Sequence, residues 1–292
     1  METIVELLQG GAAEATAIRS VEGASPMRYG DLRALAEKTT RDLNSLGIGR
    51  GDRVAIVLPN GPEAATAFLC IAAGATAAPL SLGLTAEEFE FNLSDLRAKA
   101  MVVAAGVPSE ARNVADKLHL RVIELVPHPE QGAGSFSLRP LSRDVTDPVV
   151  GGSAERDDVA LVLHTSGSTA RPKIVPLLQR NLCASARHIV AALQLDPHDV
   201  GLNIMPLFHI HGLMAGVLAS LAAGAQVACV PGFNGLRFFE WLDEVRPTWY
   251  TAVPTMHQTI LARAPRHRPE TARSRLRFIR SASASLAPQV MH

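Results

Sequence analysis

The sequence predicts an α/β protein of two β-α-β subdomains, residues 1–150 and 151–292, each with a mainly parallel sheet flanked by helices. Three observations carry that expectation. From Arg53 to Ala104, short apolar runs alternate with stretches of helical period, giving a strand-helix-strand-helix-strand rhythm. A second rhythm of the same kind starts at Val159. Two passages, Phe68–Leu80 (FLCIAAGATAAPL) and Leu218–Val230 (LASLAAGAQVACV), each read as an apolar helix, a Gly-Ala cap and a buried strand, the helix-to-strand turn of an α/β domain.

Taken in order, Thr3–Gln9 reads as a short opening helix and Ala15–Arg19 as a strand. Asp31–Leu46 places Leu32, Leu35, Ala36, Leu43 and Leu46 near a 3.6-residue period and closes at Gly47. Arg53–Leu58 is a strand, Pro59–Pro62 a turn, and Pro62 opens the next helix where its missing N–H is harmless. A strand at Ala75–Leu80, a helix at Ala86–Ala98 with Thr85 as N-cap, and a strand at Lys99–Ala104 follow. From His128 to Glu155 the text is rich in Pro, Gly, Ser and charge, with a short strand-like piece at Ser135–Arg139; the subdomain boundary is placed here. Strands are then expected at Val159–His164, Ile174–Leu177, Gly201–Met205, Gln226–Val230, Trp249–Val253 and Leu276–Arg280. Helices are expected at Asn181–Leu193, Gly212–Ala223, Leu236–Val245 and Thr255–Ala264, with a last one beginning at Leu286.

Lys plus Arg equals Asp plus Glu, 28 each, so no net field draws nucleic acid or an anionic membrane, and small-molecule partners are expected. Cys70, Cys183 and Cys229 are odd in number and far apart without C-x-x-C spacing, which argues against a disulfide framework and a zinc site. They read as buried small side chains of a reducing compartment, and the N-terminus lacks a secretory pattern, so a cytoplasmic protein is expected. Gly212–Gly232 is about as long and apolar as a membrane span, but Gly224 and Gln226 interrupt it, and helix plus strand is the preferred reading.

Three stretches offer chemistry. After the apolar run Leu161–Leu163 the text breaks into a loop with hydroxyls at Thr165, Ser166, Ser168 and Thr169, a glycine at Gly167, and the cation Lys173. Converging hydroxyl and N–H donors with one mobile ammonium suit a polyphosphate; by composition alone the run fits a solvated turn equally well. The spacing is not G-x-x-x-x-G-K-[ST], which disfavours a Walker-type NTPase. The run Pro206-Leu-Phe-His209-Ile-His211-Gly212 follows a strand and opens a helix, where anionic ligands collect in α/β sheets. With no carboxylate or Cys neighbours, its histidines do not read as a metal pair. The third stretch, Arg280-Ser281-Ala282-Ser283-Ala284-Ser285, follows a strand and reads either as a tightly packed small-residue loop or as a set of donors. Trp249–Thr255 reads as a core strand leading into a helix, and no Ser-His-Asp or Cys-His signature stands out.

These motifs resemble those of the acyl-adenylate-forming (AMP-binding) enzymes, the family of acyl-CoA synthetases, luciferases and peptide-synthetase adenylation domains. The block HTSGSTARPKIVPL from His164, followed by PLFHIHGL from Pro206, looks like the family's phosphate loop and next core motif. WYTAVPTMHQ from Trp249, LRFIRSASASLAP from Leu276, GDRVAIVLPNGPE from Gly51 and TAEEFEFNLSDL from Thr85 extend the likeness, which is strongest to oxalate–CoA ligases. The resemblance implies an ATP-dependent acid–CoA ligase with ATP, Mg²⁺ and coenzyme A as its small-molecule partners and oxalate as the favoured acid. It assigns the ATP phosphates to Thr165, Ser166, Gly167, Ser168, Thr169 and Lys173, and the acid to His209, Ser283 and Ser281, with Arg280 a weaker choice. Glycines common in the family's phosphate loop are replaced by Ala170 and Ile174, and a β-branched residue cannot take φ > 0 cheaply. The family's later Thr-Glu motif and C-terminal domain with the catalytic lysine have no counterpart here, so no catalytic residue is assigned. The expectation is an incomplete N-terminal large domain, inactive alone, associating with a complementing chain. The alternatives are a non-catalytic nucleotide- or partner-binding chain and a ligase for another fatty or aryl acid.

Overall fold

Pairing across the sequence, rather than neighbourhood within it, decides how the strands assemble. A computed structural model describes residues 1–142, 148, 150–165 and 172–291. Its strands are β1 (Thr16–Ser20), β2 (Met27–Arg28), β3 (Arg53–Val57), β4 (Thr76–Pro79), β5 (Ala100–Ala104), β6 (Arg121–Pro127) and β7 (Phe136–Pro140). They continue as β8 (Val159–Thr165), β9 (Lys173–Leu178), β10 (Val200–Asn203), β11 (Gln226–Cys229), β12 (Trp249–Ala252) and β13 (Phe278–Ser281). One sheet has the order β7-β6-β5-β3-β4-β8-β9 and the other β13-β12-β10-β11-β1-β2. Both are parallel except at their margins, where β1/β2, β6/β7 and β8/β9 run antiparallel.

The expected boundary at residue 150 is therefore not the boundary between the sheets. β1 and β2 lie in the second sheet because Ile18, Arg19 and Ser20 align with Val227, Ala228 and Cys229. β8 and β9 complete the first sheet, Leu161 aligning with Ala77.

Helix Pro62–Ala72 shows why the layers hold together. It is apolar all round and buried everywhere except Glu63, as a helix enclosed by protein must be. It touches β3 and β4 of one sheet and β1 and β11 of the other. Its Phe68, Leu69 and Ile71 join Ile18, Leu161, Leu213 and Val227 in one core drawn from both sheets. Asn60, just before it, adds a polar tie: its Nδ2 donates to the Val230 carbonyl (2.8 Å) and its Oδ1 accepts from the Leu207 N–H (2.8 Å).

Local capping behaves as the sequence indicates. Thr85 Oγ1 accepts from the Glu88 N–H (3.2 Å) while Glu88 accepts from the Thr85 N–H (2.8 Å), a capping box that starts helix Ala86–Leu96. Helix Glu110–Lys117 and β6 have no counterpart among the expected elements. A charge sits in the middle of β6: Glu124 is buried and held by Arg112 (2.9 Å) and Arg139.

The apolar stretch 212–232 is divided. A π-helix, His211–Leu218, passes into a helical turn at Ala219–Ala222; Gly224 then takes φ 70° and β11 follows. Among the described residues, no helix is long and apolar enough to cross a membrane. The three cysteines are free and buried, and burial pushes their thiol pKa values up.

Candidate active site

At the carboxyl ends of β12 and β13, in-register pairing sets Thr251 beside Arg280 on one face. The π-helix begins over that face with His211. Its Nε2 lies 2.6 Å from Thr251 Oγ1 and 3.2 Å from Arg280 Nη1, and its Nδ1 lies 3.1 Å from Ser283 Oγ. Arg280 Nη1 also donates to Thr251 Oγ1 (3.0 Å). Close packing under the helix makes this possible: a Cβ on Gly212 would stand 2.4 Å from the Pro206 carbonyl oxygen, and one on Gly216 2.3 Å from Asn203 Oδ1. π-Helical segments occur frequently at functional sites.

His211 is 7% exposed. Burial, with the Arg280 guanidinium adding to it, lowers its pKa to about 4, so the ring is neutral at pH 7. Arg280 is half-buried, and burial lowers its pKa in turn. Among the described residues no carboxylate pairs with it. A half-buried guanidinium without a counter-charge is a place for an anion. Ser283 is exposed and has φ 74°, a left-handed conformation uncommon outside glycine, and its hydroxyl meets the cluster at His211 Nδ1.

The residues singled out by sequence are only partly brought together. Arg280 and Ser283 share this cluster. Ser281 does not, because strand alternation turns it to the opposite face. There it lines an apolar cavity of about 440 Å³ with Phe238, Leu242, Tyr250, His257 and Ile279, its Oγ buried without a hydrogen-bond partner among the described residues. His209 is exposed, rests against Phe208 at 4.4 Å between ring centroids, and makes no side-chain hydrogen bond among the described residues. Thr251, read in the sequence as part of a core strand, is the residue left out, and His211, noted in its run, was given no role there. The pleat of β12 was the signal: Tyr250 and Thr251 must face opposite ways.

At the hydroxyl-rich loop, β8 and β9 form a hairpin that sets Thr165 opposite Lys173, with Thr165 Oγ1 donating to the Lys173 carbonyl at 3.4 Å. Lys173 is exposed and has no ion-pair partner among the described residues. Ser166, Gly167, Ser168 and Thr169, like Ala170, lie outside the described residues. Ile174 is part of β9, opposite His164, and packs on the core around Phe89, Leu93 and Val162. Its backbone is not left-handed, so the branched side chain meets no conformational obstacle there.

Among the described residues, no group of three or more His, Cys, Asp or Glu stands where it could hold a metal ion.

The mainly parallel sheets and helix-covered faces, with candidate anion-binding groups at strand ends, define an α/β protein of the kind that binds ligands at the carboxyl ends of its strands. The chain belongs to the AMP-binding enzyme family, whose model matches residues 9–292. It is 44% identical over 280 residues to an oxalate–CoA ligase of Arabidopsis thaliana, covering 93% of this chain and 53% of that protein. A probable CoA ligase of Humulus lupulus is 39% identical over 294 residues, with 99% and 56% covered. The crystal structure of ATP-bound MatB from Rhodopseudomonas palustris matches with a TM-score of 0.81 at 24% identity, covering 99% of this chain and 56% of that one, a likeness of fold. The chain spans about half the length of the curated relatives it matches.

Proposed function

We propose that this chain is the AMP-binding part of an acid–CoA ligase that activates a small dicarboxylate, with oxalate favoured. The observation that carries the reading is Arg280, a half-buried cation without a carboxylate partner among the described residues, joined through the His211 ring to the Ser283 hydroxyl. A small diacid offers no tail to bury, so hydrogen bonds and charge must select it, and a site of that kind rejects analogues strongly. The relatives named as oxalate–CoA ligases, from Arabidopsis thaliana and Saccharomyces cerevisiae, support the choice of acid.

In this reading one carboxylate rests on Arg280 and Ser283 while the other attacks the α-phosphorus of ATP, forming the acyl-adenylate and releasing pyrophosphate. The thiol of coenzyme A then attacks the acyl carbon and AMP leaves. Lys173, with Thr165 to Thr169, offsets charge gathering on the departing pyrophosphate. Mg²⁺ belongs to the reading only as a companion of the nucleotide, and no step is assigned to it.

Calorimetric titration of oxalate into the chain, with a non-hydrolysable ATP analogue present, tests the assignment. Arg280→Met is expected to weaken oxalate at least about tenfold, the worth of a charge-assisted hydrogen bond. Equal affinity in both proteins would remove the carboxylate site. Pyrophosphate release from ATP and oxalate separates turnover from nucleotide binding alone. A second reading, activation of an aryl or fatty acid, has one observation in its favour, the apolar cavity beside Tyr250 and Ser281; benzoate or octanoate binding in place of oxalate would support it.

A further inference from the structure

We propose that His211 is a positioning residue: held as the Nδ1–H tautomer, it transmits the donor direction set by Arg280 to Ser283, so that Ser283 turns its hydroxyl proton toward the substrate carboxylate. The inference rests on the carboxylate reading above and adds to it a residue and a direction.

Arg280 is the one group of the cluster whose hydrogen-bonding role cannot change. A guanidinium donates and never accepts. Arg280 Nη1 lies 3.0 Å from Thr251 Oγ1, which must accept from it, and 3.2 Å from His211 Nε2, a contact that is favourable only when that nitrogen carries its lone pair rather than a hydrogen. With its oxygen accepting from Arg280, Thr251 sends its own proton across the 2.6 Å contact to Nε2. Nε2 is then bare, and a neutral imidazole must carry its hydrogen on Nδ1. Nδ1 faces Ser283 Oγ at 3.1 Å and donates to it. Ser283 Oγ, already accepting, directs its remaining O–H away from the ring. Ser283 is exposed, so that hydrogen is free to meet a ligand arriving from solvent.

The opposite tautomer sends an Nε2–H to Thr251 Oγ1, which then accepts from both His211 and Arg280 and leaves its own O–H, on a residue 1% exposed, without an acceptor among the described residues; it also sets that Nε2–H 3.2 Å from the Arg280 guanidinium nitrogen. An imidazolium adds a second positive charge beside Arg280 in a nearly closed position, which burial opposes. The favoured arrangement leaves the cluster with a single positive charge and outward-facing donors. That suits one carboxylate and is unsuited to a carboxamide, whose N–H₂ finds no acceptor.

Two measurements on the full chain test the proposal. In a long-range proton–nitrogen correlation spectrum of ¹⁵N-histidine-labelled protein at neutral pH, with the His211 signals identified by their loss in a variant, Nδ1 is expected to be the protonated nitrogen. Protonation at Nε2, or at both nitrogens, overturns the proposal. The second is oxalate titration of His211→Asn, whose amide can place a donor near the Nδ1 position toward Ser283, against His211→Gln, whose amide reaches the Nε2 position and leaves Ser283 without that donor. His211→Asn is expected to stay within about threefold of wild type and His211→Gln to lose about tenfold. Equal losses in the two, or none in either, overturn the directional role. Should the wild-type chain bind no oxalate, the carboxylate reading fails while the nitrogen measurement still decides the tautomer.

Discussion

Acidification should weaken this fold through His211. In the native state its pKa is about 4, lowered by burial and by Arg280, whereas an unfolded histidine titrates near 6.5. Between those values the unfolded chain holds a proton that the native chain refuses. Stability therefore rises with pH through the window and is lost as pH falls from about 6.5 toward 4. For one such group the loss between pH 7 and pH 5 works out at about 2 kcal/mol, a sizeable part of a typical total of about 5–15 kcal/mol. Urea unfolding of the wild type and of His211→Gln at both pH values isolates the effect. The buried carboxylates Glu124 and Asp199, and His257, titrate in both proteins and cancel in the comparison. The wild type is expected to lose about 2 kcal/mol more than the variant over that interval. Parallel losses would show that the ring is not held neutral by its surroundings, and the reasoning from burial and Arg280 would fail with it.

Three other outcomes are expected. Gly216→Ala should destabilise by about 1–3 kcal/mol in thermal unfolding, since the new Cβ would lie 2.3 Å from Asn203 Oδ1 on a buried side chain bonded to the Met205 carbonyl. Asn60→Ala should cost about 1–3 kcal/mol in urea unfolding, by removing the bond to Val230 and leaving the Leu207 N–H without its acceptor. Lys173→Ala should reduce ATP affinity about tenfold by calorimetry while leaving the melting temperature unchanged, because the side chain is exposed and unpaired among the described residues.

Much of the architecture was legible in one dimension. Residues such as Pro62, Thr85 and Gly224 act within a turn or two of themselves, so the elements they start or end follow from local chemistry. β6 was harder, since Glu124 breaks its apolar run and only the partners Arg112 and Arg139 make that charge tolerable. The division of strands between sheets was not legible, because the pairing of Ile18 with Val227 depends on contacts far apart in the chain. The same limit applies at the site. Arg280 and Ser283 could be singled out by type, but Ser281 was grouped with them although it points into another cavity. His211 and Thr251 gain their meaning only from register and from the π-helix that lowers one onto the other.

The crossing of strands between the sheets also bears on how the molecule is made. On a ribosome, β1 emerges early and its partner β11 only much later, so the backbone edge of β1 waits unsatisfied while the intervening text is translated. The first sheet is likewise unfinished until β8 and β9 arrive. The nascent chain cannot mature one half at a time, and a polypeptide cut at residue 150 would leave each piece holding strands that belong to the other.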